Sequence, residues 1–221
     1  MRILNSSVGR KILMSITGQL LIIFVLIHLI GNSTIFFGPN GINAYAAHLH
    51  SLPPLVWAFR LFMLAAVAVH IMYGVQVTLE NKAANPGGYA VKRQLKASFA
   101  GENMIWTGLL LAAFILYHLL QFTVQGTPDI VVGLDAANRV DVYRMVVTSF
   151  SHGLISLVYA ASMVMLFLHL SHGIPSFLQT MGWNNEKTIP AFGTMGKVVA
   201  ACLMIAYISI PAVILAGFLT L

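Results

Sequence analysis

Four histidines, His28, His70, His118 and His169, stand inside long apolar runs of this sequence, one in each of four successive runs. An ionisable side chain at membrane depth is costly unless it faces a bundle interior and has a partner, so each of the four is a candidate functional residue. One such histidine alone reads equally well as an interhelical hydrogen bond; four together ask for a common purpose. The chain has eight histidines against six acidic residues, and its single cysteine, Cys202, lies in an apolar run. One cysteine holds neither an iron–sulphur cluster nor an internal disulfide. If the chain carries a redox centre, histidine must ligate it.

The elements that position these residues follow from composition. Of 221 residues 58% are hydrophobic and 8% charged, with a mean hydropathy of +0.85, so the solvent is a bilayer. Five runs, roughly 12–37, 54–79, 104–125, 145–172 and 198–221, are each long enough to cross about 30 Å of hydrocarbon at 1.5 Å per residue. Arg60 is the only charged residue in any of them. Backbone groups in lipid must bond within their own segment, and none of the runs alternates as a barrel strand does, so all five read as helices. The expected fold is an all-α integral membrane protein, residues 1–221 forming one transmembrane domain in which the four histidine-bearing helices of the five make a bundle.

Charge sets the expected orientation. Arg2, Arg10 and Lys11 precede the first run, Lys82, Lys92, Arg93 and Lys96 fill the second connection, and Lys187 and Lys197 the fourth. The opposite side has Arg60, Arg139 and Arg144, the last two diluted by Asp129, Asp135 and Asp141. The amino terminus is expected in the cytoplasm and the carboxyl terminus outside. A cleaved signal peptide does not fit the first run, which is too long, contains a histidine and lacks a small-residue cleavage site. The net charge of +6 reads as this topological bias and not as nucleic-acid binding. The longest polar connection, about Glu80–Asn103, is too short for a catalytic domain, and no glycine loop cradles a phosphate.

Depth groups the histidines. The first and third runs travel outward, placing His28 about 24 Å and His118 about 21 Å from the inner end. The second and fourth travel inward, leaving His70 about 15 Å from the inner end and His169 nearer still. Two histidines at one depth on two helices are what a six-coordinate haem b requires, one imidazole on either face of the porphyrin, so two layers predict two stacked haems. Gly18 and Gly108, ten residues before His28 and His118, with Gly31, Gly74 and Gly173 just after ligands, offer flat helix surface to a porphyrin; glycine is also simply common in membrane helices. His172, one turn beyond His169, is expected near the inner surface. His152 is too far from His169 for one helix to supply both haems, and His48 and His50 fall in the first outer connection.

The stretches Phe24–Asn32 (FVLIHLIGN), Ala46–Pro53 (AAHLHSLP), Val69–Val75 (VHIMYGV), Ile115–Phe122 (ILYHLLQF) and Phe167–Phe177 (FLHLSHGIPSF), with Gly182 and Trp183 following, carry a resemblance in their order and number. The chain resembles, over essentially its whole length, the five-helix, di-haem cytochrome b subunit of succinate:menaquinone and menaquinol:fumarate oxidoreductases. The resemblance implies axial ligands at His28, His70, His118 and His169, pairing His28 with His118 and His70 with His169, as the depths do. It further implies a flavoprotein partner with FAD and an iron–sulphur partner docked on the cytoplasmic face, with menaquinone or another quinone near the outer face, in a bacterial inner membrane. Members that return protons across the membrane have a glutamate two residues before the fourth ligand; here that position is Phe167, so that path is not expected.

A quinone site needs hydrogen-bond partners beside an apolar cleft, for which the outer layer offers Asn32, Ser33, His48, His50 and Arg60. Three rival readings remain: the membrane subunit of another quinone-linked dehydrogenase or reductase, a haemless structural anchor, and a transporter whose histidines relay protons. Transporters tend to show internal repeats, and none is evident in the sequence.

Overall fold

The computed structural model describes residues 6–84 and 98–221; Arg2, Lys92, Arg93 and Lys96 lie outside the described residues. The chain is all-α, with no strand among the described residues and five segments long and apolar enough to cross a membrane. Helix α1 (Ser7–Ser33) starts where the Ser6 hydroxyl accepts the Gly9 N–H at 3.0 Å, satisfying one of the amide donors a helix start leaves open. A 3-10 turn (Thr34–Phe37) and a glycine with φ of 77° at Gly38 carry the chain into α2 (Gly38–Leu49). Pro53 and Pro54, with no N–H to lose, open α3 (Pro53–Ala83). After the short α4 (Phe99–Glu102), α5 (Met104–His118) passes directly into a π-helical turn, Leu119–Thr123.

The apolar stretch from residue 145 to 172, which reads as a single helix, is divided. Helix α6 (Val142–Phe150) ends, His152 is extended, and α7 (Gly153–Thr180) begins. The Ser151 hydroxyl donates to the Val147 carbonyl at 2.7 Å and the Ser156 hydroxyl to that of Phe150 at 2.6 Å. Side chains thus satisfy carbonyls that a helix end strands, which lets a break sit among apolar residues. Helix α8 (Thr188–Leu215) closes the fold.

Helices α1, α3, α5 and α7 form a closed ring, each touching the next and α7 touching α1, while α8 lies outside it along α7 and α1. The contact between α7 and α8 is the most extensive. Gly196 makes it close: a Cβ there would come within 2.7 Å of Pro175 Cδ, the small-residue approach by which membrane helices pack without a hydrophobic drive. Large apolar side chains such as Ile30, Leu116, Leu154 and Ile205 point outward, as a lipid-facing surface requires.

At the end of the ring far from the amino terminus, α2 and α6 make a lid. Asn43, fully buried, donates through Nδ2 to Asp135 Oδ2 (3.2 Å) and Asp141 Oδ1 (3.0 Å) and accepts the Tyr143 N–H (2.9 Å). The Arg139 guanidinium beside Asp135 holds that carboxyl down to about 2, so it remains an acceptor. Ile35, Ile42, Tyr143, Val147 and Phe150 fill the space beneath.

Candidate functional site

The ring brings the four buried histidines together in two pairs. His70 of α3 faces His169 of α7 with ring centroids 6.2 Å apart, and His28 of α1 faces His118 of α5 at 5.8 Å. The pairs lie at two depths. Residues Met14, Thr17 and Gly18 of α1 touch His70, and His28 stands ten residues further along the same helix, about 15 Å by helical rise.

In the layer nearer the amino terminus, called here the near layer, small residues and oxygen atoms hold the rings. His70 Nδ1 lies 3.0 Å from the Met14 carbonyl, which can only accept, so Nδ1 carries the proton; Thr17 Oγ1 is a longer neighbour at 3.4 Å. His169 Nδ1 lies 3.1 Å from Thr107 Oγ1. That hydroxyl is within reach of the Asn103 and Met104 carbonyls, at 3.2 and 3.1 Å. It spends its proton on the backbone and accepts from the imidazole. Gly18 and Gly108 seat the two rings: a Cβ at Gly18 would stand 3.0 Å from His70 Cε1, and one at Gly108 3.3 Å from His169 Cε1. These glycines therefore pack the histidine of a neighbouring helix, not the one ten residues on in their own.

The far layer is built from aromatic and polar groups. Phe24 stacks on His28 at 5.3 Å and Tyr207 flanks it, while Phe114 and Phe122 flank His118. His118 Nδ1 lies 3.0 Å from Tyr159 Oη, whose own proton goes to Gln121 Oε1 at 2.6 Å. Gln121 Nε2 donates in turn to Asp129 Oδ2 (2.7 Å) and Ser149 Oγ (2.8 Å), and the Ser149 hydroxyl donates to Asp129 Oδ2 (2.6 Å). Desolvation pushes the Asp129 carboxyl up, but hydrogen bonds from Ser149 and Gln121 outweigh it and hold the group below the usual carboxylate range.

In three of the four rings the protonated nitrogen is thus Nδ1, which leaves Nε2 with a free lone pair, the form in which imidazole ligates a metal. Two imidazoles on opposite sides of one metal, each about 2 Å from it, have centroids about 6 Å apart, which both pairs match. No group of three or more histidine, cysteine or carboxylate side chains capable of holding a metal occurs among the described residues. A metal held between two facing imidazoles, with no third protein ligand among the described residues, would need its remaining positions filled from elsewhere, as a porphyrin would fill them.

The other candidates separate. His28, Asn32 and His50 line one cleft of about 140 Å³ together with Gly31, Tyr45 and Val142. Arg60 joins it through His50, its guanidinium 3.2 Å from His50 Nε2 and stacked over Trp57 at 5.2 Å. Ser33 instead donates to the Leu29 carbonyl, and neither it nor His48 lines the cleft. Tyr45, passed over in the sequence, lies so close to Gly31 that a Cβ there would meet its hydroxyl at 2.6 Å. His172 is set against Gly101 of α4, and His152 forms the bend before α7.

The geometry also exposes a repeat that the sequence hid. Thr17 and Gly18, Phe24 and His28 in α1 have the same spacing as Thr107 and Gly108, Phe114 and His118 in α5; Gly74 follows His70, and Gly173 follows His169, by four residues. Aligning the first run on the third was the signal for Thr17, Thr107, Phe24 and Phe114.

No curated protein and no solved structure matches this chain. The succinate dehydrogenase/fumarate reductase transmembrane subunit family matches residues 5–100, the stretch that holds His28, His70 and the cleft residues Asn32, Tyr45, His50 and Arg60. Over residues 5–100 the chain is thus similar to the succinate dehydrogenase/fumarate reductase transmembrane subunit family, and five of its helices are long and apolar enough to span a bilayer.

Proposed function

We propose that this subunit is the cytochrome b anchor of its complex, holding two haems b, one between His28 and His118 and one between His70 and His169, and connecting the iron–sulphur partner to a quinone. The observation that carries the reading is the pairing itself: two imidazole pairs, at 5.8 and 6.2 Å, stacked at two depths of one four-helix ring. Bound there, haem b supplies a one-electron carrier at each depth. The chain's own work is to fix the rings. Met14, Thr107 and Tyr159 accept the Nδ1 protons of His70, His169 and His118, which keeps Nε2 free and each plane oriented.

Quinone, menaquinone or another, is assigned to the cleft beside His28, where Asn32, His50 and Arg60 provide polar groups on an otherwise apolar wall. The amino-terminal face, with Arg10, Lys11, Lys82 and Lys187, is assigned to the cytoplasm of a bacterial cell by its positive charge. There it meets the iron–sulphur subunit and, beyond it, the FAD-bearing flavoprotein that interconverts succinate and fumarate.

The test is the reduced-minus-oxidised absorption spectrum and pyridine haemochrome of the detergent-purified chain. Two haems b per chain are expected. Absence of haem from an intact, folded chain returns the histidines to a proton-relay role.

A further inference from the structure

Three of the four ring histidines have an oxygen acceptor at Nδ1, but the acceptors differ in kind. His70 donates to a backbone carbonyl and His169 to a threonine hydroxyl; both acceptors are neutral and both bonds end in helix backbone. His118 begins a chain. Its Nδ1–H donates to Tyr159 Oη, Tyr159 to Gln121 Oε1, and Gln121 Nε2 to Asp129, so every bond points away from the imidazole and the last acceptor is a carboxylate.

The fold makes room for this chain deliberately. Gln121 is fully buried in an otherwise apolar run, where an unpartnered amide is strongly disfavoured. The π-helical turn Leu119–Thr123 begins on the residue after His118, and such turns cluster at functional sites because they re-aim one side chain within a helix. Ser149, also fully buried, comes from α6 to bond both Gln121 and Asp129. Every polar atom of the Gln121 side chain has a partner, which fixes the amide's orientation and hence the direction of each bond.

We propose that Tyr159, Gln121 and Asp129 are positioning residues that act through His118 to set the midpoint potential of the far-layer haem below the value its ligands alone would give. The proposal rests on the haem reading above. A hydrogen-bond acceptor on the distal nitrogen makes a ligating imidazole more basic, a more basic axial ligand favours ferric over ferrous iron, and hydrogen bonding and ligand identity are among the protein's levers on haem potential. A chain of aligned bonds ending in a negative charge polarises each member in turn. Asp129 is part-exposed, so water screens its charge, and the nearest link, Tyr159, carries the larger share.

The experiment uses the detergent-purified complex with Tyr159→Phe, Gln121→Leu, Asp129→Asn and Asp129→Glu. Haem content is read by pyridine haemochrome, each haem's potential by redox titration, and axial-ligand geometry by low-temperature spin resonance. Tyr159→Phe is expected to keep two haems and raise only the far-layer potential. The shift should equal a three- to tenfold change in the ferric-to-ferrous ratio, about 30–60 mV for one electron, with an altered resonance for that haem alone. Asp129→Asn should move it the same way by less, and Asp129→Glu should restore it. Should Tyr159→Phe lose the haem, Asp129→Asn and Gln121→Leu decide with the same sign. Unchanged potentials in haem-replete variants, or equal shifts of both haems, overturn the proposal. A wild-type complex without haem overturns the parent reading instead, so the two failures are told apart.

Discussion

The two histidine layers lie about 15 Å apart along the same four helices, yet they are held in different ways. The near layer uses glycine, threonine and backbone, so that each ring is clamped by atoms with almost no freedom of their own. The far layer uses phenylalanine, tyrosine and a buried amide leading to a carboxylate in the connecting segment. Space is fixed in the first and polarity adjusted in the second. The difference matches position: the near layer is enclosed by helix on all sides, whereas the far layer borders the cleft and the lid, where the chain has loops with which to reach it.

The sharpest way to break the comparison is to remove ligands. His28→Ala and His118→Ala are expected to share one phenotype, loss or high-spin conversion of the far haem, and His70→Ala and His169→Ala another, confined to the near haem. Haem quantitation with spin-state resonance reads this, and grouping by adjacent helices, His28 with His70, would undo the layers. Beside it, His169→Gln should lose one haem while His172→Gln keeps both, since His172 rests on Gly101 away from the ring interior.

Next in size is the seating of the near layer. Gly18→Val and Gly108→Val add methyl groups where a Cβ alone would stand 3.0 and 3.3 Å from a ring, so near-layer haem should drop while far-layer spectra stay as in the wild type. The threonines rank below. Thr107→Val removes the hydroxyl that accepts from His169 and is expected to weaken near-layer haem binding by roughly 10- to 100-fold. Thr17→Val should be mild, because His70 keeps the shorter bond to the Met14 carbonyl. Equal effects in a haem-titration series would mean that the threonines act by packing. The smallest effect concerns the lid: Asn43→Ala strands the buried Tyr143 N–H and should destabilise the protein by about 1–3 kcal/mol, seen as a lowered thermal midpoint with both haem spectra intact.

Much of this arrangement could be read before the structure because membrane depth is arithmetic. A helix of known direction rises a fixed distance per residue, so His28 and His118, or His70 and His169, fall level without knowledge of packing. What the arithmetic does not contain is which face meets which. Counting along one helix ties Gly18 to His28 and Gly108 to His118, whereas the rings these glycines seat, His70 and His169, belong to the neighbouring helices. The break at Ser151 and His152 escaped because hydropathy does not register a serine hydroxyl bonding back to a carbonyl. Nothing in the pattern of the apolar runs marks Gln121 or Tyr159; only the fold, with Gln121 in the π-helical turn and Tyr159 on α7, puts both in line with His118.

Asn43 has a consequence for how the protein is made. Its three partners, Asp135, Asp141 and Tyr143, lie 92 to 100 residues downstream. While the chain emerges from a ribosome, α1 and α3 are threaded into the bilayer and α2 is delivered to the membrane surface between them long before those partners exist, so the amide must stay hydrated there in the meantime. The lid can close only after α5 has crossed and its following segment has been delivered. Insertion is therefore ordered, with the first half waiting open until the second arrives to seal it.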